Sequence, residues 1–89
     1  MQKTLTITVD KKKIISKPFD FEAMCLINDE HNNEKNKGPL TICRGAVDYL
    51  FEGTEATQEV INALDLNTRT RLCIELWSMY VDTLTAKNE

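Results

Sequence analysis

Cysteine and histidine are the residues in this chain best suited to chemistry, and their spacing decides what they can do. Cys25, Cys43, Cys73 and the single His31 are spread along the sequence, and no CxxC or HxxxH pair is present. A structural zinc site draws its four ligands from such closely spaced pairs. Cys25 and His31 stand six residues apart, and the other two cysteines fall in separate helical patterns, so no metal site is expected. A Cys–His nucleophilic pair fares no better. Cys43 and Cys73 each sit inside an apolar stripe, where burial disfavours the thiolate. All three cysteines are therefore expected to be reduced, buried thiols. His31 borders a polar segment and reads as an ordinary titrating surface imidazole.

Three other groups could carry a function. Lys11, Lys12 and Lys13 form the one basic run, which at a hairpin turn is most simply a solvated turn and otherwise an anion contact. Arg69 and Arg71 stand near the start of the last helical pattern, as in the recognition helix of a helix-turn-helix. The neighbouring Glu55, Glu59, Asp65 and Glu75 oppose that reading, since their charge repels phosphate. Trp77, Met79 and Tyr80 could contact a cofactor, but at helical spacing they read as core or subunit interface, and no cofactor is expected.

These residues must be positioned by elements, and the periodicities identify them. Leu5, Ile7 and Val9 alternate with Thr4, Thr6 and Thr8, the period of a half-buried strand, and Ile14 to Ser16 follow a polar turn at 10–13 as its return strand. Asp20 is placed to cap a first helix, with Phe19 and Met24 as a hydrophobic staple and an inner face of Phe21, Met24, Cys25 and Asn28. Pro39 opens a second helix, in which Leu40, Cys43, Ala46, Val47, Leu50 and Phe51 share one face. Gly45 within it lowers helix propensity, and close approach of another helix is expected to offset that cost. Gly53 is expected to cap its C-terminus. Thr54 would cap a short third helix with Ala56, Val60, Ile61 and Leu64 inward, and Asp65 or Asn67 the longest one. In that last helix Leu72, Cys73, Leu76, Trp77, Met79, Tyr80, Val81 and Leu84 make a stripe wider than a surface helix needs, so part of it should face another chain.

The expectation is one mainly α, α+β domain over 1–89, with an N-terminal β-hairpin at 3–16 and helices at about 20–30, 39–52, 55–64 and 67–86. The polar segment 31–38, HNNEKNKG, is expected to be a mobile loop. With 42% hydrophobic and 28% charged residues the chain has the balance of a globular domain, and eighty-nine residues leave room for one core. A net charge of -3 argues against general binding of nucleic acid or acidic membranes. No run reaches the ~20 apolar residues of a membrane span, and the start MQKTLTITVD lacks the apolar region of a signal peptide, so a cytoplasmic location is expected.

Segments 17–29 (KPFDFEAMCLIND), 46–59 (AVDYLFEGTEATQE) and 70–80 (TRLCIELWSMY) carry a family likeness. With them in place, nearly the whole chain resembles the tail assembly chaperones of long-tailed phages and prophages of Gram-positive bacteria. The resemblance implies a non-enzymatic protein that coats the helical tape measure protein in the host cytoplasm until tube subunits assemble around it, and that is absent from the finished virion. It makes the tape measure protein the implied partner, with the major tail protein a second one, and self-association into a homo-oligomer is expected. The interaction residues expected on the last helix are Leu72, Leu76, Trp77, Tyr80 and Leu84. Many such chaperones also have a longer form made by ribosomal frameshifting, and Ala86, Lys87 and Asn88 are compatible with the slippery codons GCA AAA AAC. The rival readings are a helix-turn-helix regulator and a structural component of a phage tail or head.

Overall fold

Strand β1 (Thr6–Val9) pairs antiparallel with β2 (Lys12–Ile15), Ile7 opposite Ile14 and Val9 opposite Lys12, in a computed structural model that describes residues 3–33 and 38–85. The turn is shorter than the sequence suggests. Asp10 and Lys11 alone connect the strands, both left-handed at φ 51° and 66°, the backbone of a type I′ hairpin turn. The alternation holds: Leu5, Ile7 and Ile14 point inward and Ile15 outward.

Ser16 extends the pairing one step beyond the strands and is the buried polar residue of the described chain. Its Oγ accepts the Leu5 N–H at 2.8 Å and donates to the Lys17 carbonyl at 2.7 Å, while its own N–H reaches the Leu5 carbonyl at 2.8 Å. Ser16→Ala would leave the buried Leu5 N–H without an acceptor and is expected to destabilise the protein by about 1–3 kcal/mol, read from urea unfolding. A change below about 0.5 kcal/mol would show that water reaches that amide.

Helix α1 (Phe21–Asn33) starts where Asp20 caps it, the carboxylate accepting the Ala23 N–H at 3.0 Å. The same carboxylate accepts the Tyr49 hydroxyl at 2.7 Å, and these two bonds hold its pKa below the usual carboxylate range. The inward face is Ala23 and Ile27, with Met24 and Cys25 half-buried. Phe21, expected inside, is 78% exposed: it precedes Ala23 by two residues and so lies about 200° round the helix. The helix runs on through His31 to Asn33, which shortens the expected loop, and the remainder of that loop at 34–37 lies outside the described residues.

Helix α2 (Pro39–Leu50) buries Ile42, Cys43, Ala46, Val47 and Leu50, with Phe51 just beyond. It packs on both α1 and α4 (Leu66–Thr85) and so forms the hub of the domain. Three expectations on it are corrected. Leu40 is half exposed, because in the first turn it projects past its neighbours. Gly45 faces away from the core, and a Cβ there would meet no heavy atom within 4 Å, so no helix approaches it. Gly53 adopts a left-handed φ of 79° but lies two residues past the C-cap Phe51, in the turn rather than at the cap.

Helix α3 (Gln58–Asn62) is capped by Thr57, whose hydroxyl accepts the Val60 N–H at 3.3 Å. The sequence favours Thr54, but its hydroxyl donates to the Phe51 carbonyl at 2.6 Å and accepts the Ala56 N–H at 3.1 Å, which closes the turn instead. The helix is correspondingly shorter than 55–64. Asp65 caps α4, taking the Thr68 N–H at 3.1 Å and its hydroxyl at 2.6 Å. α4 buries Leu72, Leu76 and Tyr80, and Arg71 ties it to the hairpin through a 3.0 Å bond to the Thr6 carbonyl. The resulting architecture is α+β and mainly α, a two-stranded hairpin followed by four helices.

Candidate protein-interaction surface

The five residues expected to meet a partner on α4 divide between two faces. Leu72, Leu76 and Tyr80 are at most 2% exposed and belong to the chain's own core. They recur at i, i+4 and i+8 and therefore line one side of the helix. Tyr80 is fixed further by its hydroxyl, which donates to Asn28 Oδ1 on α1 at 3.0 Å. Burial raises its pKa.

Trp77 and Leu84 lie elsewhere, and two residues missing from the expected set join them. Ile74 is 48% exposed, Leu84 is 59% exposed, and Trp77 and Val81 are half-buried against the core edge. The positions 74, 77, 81 and 84 are separated by three, four and three residues, the spacing of a heptad seam that another helix can follow. Trp77 is held at its centre by neighbours on both sides. The His31 ring meets it edge-on at a centroid distance of 5.5 Å, and the Tyr80 ring lies tilted at 5.3 Å. Arg71, Glu75 and Asp82 border the seam with charge, Arg71 pairing with Glu75 at 3.3 Å and Lys3 reaching Asp82 at 3.7 Å. The 3-4-3 spacing was present in the sequence. What hid it was the adjoining core stripe, which merges with it into one broad apolar band.

A second exposed region surrounds α2. Between α2 and α4 runs a groove of about 180 Å³ walled by Leu40, Leu66 and Cys73 with Arg44 and Arg69. Between α1 and α2 lies another of about 340 Å³, with Leu26, Asp29 and Glu30 on one side and Thr41, Arg44 and Gly45 on the other.

Two of the basic groups singled out by the sequence are engaged within the chain. Arg71, read as a recognition-helix residue, bonds Glu75 and the Thr6 carbonyl. Lys12 of the basic run pairs with Glu55. Among the described residues no three His, Cys, Asp or Glu side chains converge on a point where a metal could sit. Of the cysteines only Cys43 is fully buried, while Cys25 and Cys73 are half-buried, contrary to the expectation of three core thiols. Burial, with Cys73 adding a smaller contribution, pushes the Cys43 thiol up to about 12. In native protein at roughly pH 8, alkylation with iodoacetamide should therefore modify Cys25 first and leave Cys43 untouched, with all three labelled once the chain is unfolded. Peptide mass mapping reads this directly, and rapid native labelling of Cys43 would contradict its burial.

No helix among the described residues is long and apolar enough to cross a membrane. No protein-family model matches the chain, and no curated protein or solved structure is significantly similar to it.

Proposed function

We propose that this chain is a non-enzymatic tail assembly chaperone of a long-tailed phage or prophage, which binds the helical tape measure protein and keeps it soluble in the host cytoplasm. The single observation that carries the reading is the second apolar seam of α4, Ile74, Trp77, Val81 and Leu84, which the chain's own core leaves half open. A partner built of long amphipathic helices offers heptad-spaced apolar residues that fit such a seam, so binding needs burial of apolar surface and no bond made or broken. Likeness of segments 17–29, 46–59 and 70–80 to such chaperones supports the same conclusion. Segment 70–80 contains the first half of the seam. The major tail protein, which takes the chaperone's place on the tape measure, is the second partner of this reading.

Co-expression with a tape measure fragment tests it. The fragment alone should be insoluble, and with this chain present it should enter the soluble fraction and elute as a complex. A fragment that stays insoluble, with no co-eluting chain, would refute the proposal.

A further inference from the structure

The side of α4 that carries the seam runs on toward the N-terminus of the helix. At about 100° per residue, Leu66, Thr70 and Cys73 fall on the same side as Trp77, Val81 and Leu84, and all three line the groove between α2 and α4. Leu66 is 79% exposed, and Leu40 of α2, which is 46% exposed, lines the same groove. Seam and groove therefore follow one another along a single track from Leu66 to Leu84, roughly 27 Å at the rise of an α-helix.

The two ends of this track differ in charge. Arg44 and Arg69 are the charged residues lining the groove at the Leu66 end. Among the described residues the ion pairs are made by other cations, Lys3, Lys12, Lys17 and Arg71. Arg69 is half-buried, a setting in which a guanidinium gives up hydration that a carboxylate would replace. Asp48 lies near enough to both arginines to feel their charge, but burial outweighs their pull and raises its pKa. Arg44 also borders the α1–α2 groove, where Asp29 and Glu30 stand. At the opposite end the charged residue of α4 nearest Leu84 is Asp82, which pairs with Lys3.

We infer that seam and groove together hold one amphipathic partner helix of about twenty residues, and that Arg44 and Arg69 receive carboxylates carried at one end of its apolar stripe. Apolar burial alone leaves the register and direction of such a helix open, since a heptad stripe slides or reverses against a uniform seam at little cost. A charged anchor at one end removes that freedom. Two guanidiniums suit two acidic side chains one helical turn apart on the partner. The inference rests on the α4 seam being the partner site of the proposed function, and adds to it the charge that the partner must carry and where it must carry it.

Three synthetic helical peptides of about twenty residues test it, identical in a leucine heptad stripe and carrying at one end paired glutamates, glutamines or lysines. Binding to the full chain is read from Trp77 emission at roughly 0.05 M salt. The glutamate peptide should bind at least about tenfold more tightly than the lysine peptide, and raising salt to about 0.5 M should shrink that gap. Arg44→Glu, at an exposed position, should leave the circular dichroism spectrum unchanged and abolish the preference, and adding Arg69→Glu should reverse it. A spin label at the peptide end remote from the glutamates should broaden amide resonances around Leu84 and spare those around Leu66. Equal binding of the three peptides, a preference indifferent to Arg44→Glu, or broadening at the Leu66 end overturns the inference and leaves the seam reading in place. Absence of binding by any peptide overturns it too, while co-expression with the tape measure fragment decides the proposed function separately.

Discussion

Leu76→Ala is expected to destabilise the protein by about 3 kcal/mol or more. Leu76 is 0% exposed, between Leu72 and Tyr80 on the stripe that faces α1 and α2. Removing its isobutyl group loses the transfer free energy of the missing carbons and leaves a cavity that helices held by Tyr80–Asn28 and Arg71–Thr6 bonds cannot readily close. An eighty-nine-residue domain has a total stability of roughly 5–12 kcal/mol, so this one change removes a large fraction of it. Urea denaturation should show the midpoint falling by about 2–3 M with little change in slope. The same measurement separates the two roles that the sequence leaves merged. Were Leu76 a partner-binding residue, its truncation would leave the isolated chain as stable as before and weaken only a complex.

The order and type of every element were legible in the sequence because each rests on local chemistry. Alternating Thr and aliphatic residues specify the first strand, Asp20 caps α1 as its position suggests, Pro39 opens α2, and of the two candidates Asp65 and Asn67 it is Asp65 that caps α4. Two threonines three residues apart, Thr54 and Thr57, gave an ambiguity that local chemistry does not resolve, since either hydroxyl can satisfy free amides. Burial of Ala56, reached through the Thr54 turn, decided for Thr57. The hairpin turn was illegible for a related reason. A type I′ turn is signalled by Asn-Gly or Asp-Gly, and this chain uses Asp10 and Lys11.

Which face of a helix lies inward was less legible than the helix itself. Phe21 is apolar but sits opposite Ala23 and Ile27, and the smaller pair wins because two inward positions one turn apart outweigh one large side chain in the first turn. Gly45 in the sequence suggests a contact between helices of one chain, but a Cβ there would meet nothing within 4 Å, so no such contact is made. On α4 the difficulty was one of width. A band covering more than half a helix circumference is two faces, and only packing against α1 and α2 separates Leu72, Leu76 and Tyr80 from Ile74, Trp77, Val81 and Leu84. The single tryptophan lies on the boundary and was correctly placed on the helix but not on a face.

That separation makes the second large prediction sharp. Ile74→Glu combined with Leu84→Glu places two carboxylates in the seam at positions already 48% and 59% exposed. In the isolated chain both new side chains reach water, and the stability should change by no more than about 0.5 kcal/mol per site. In a complex whose partner helix covers the seam, each carboxylate would lose its hydration without gaining a counter-charge, a penalty of several kcal/mol. Binding of a tape measure fragment should therefore weaken on the order of a hundredfold or more. Trp77 supplies the readout, since it is the sole tryptophan and stands half-buried at the centre of the seam. Its emission should shift to the blue when the native chain meets the fragment, as water is excluded from the indole, and stay unchanged with the double variant. If the variant unfolds, the seam is part of the core after all. If it stays folded and binds the fragment as tightly as the native chain does, the partner uses another surface.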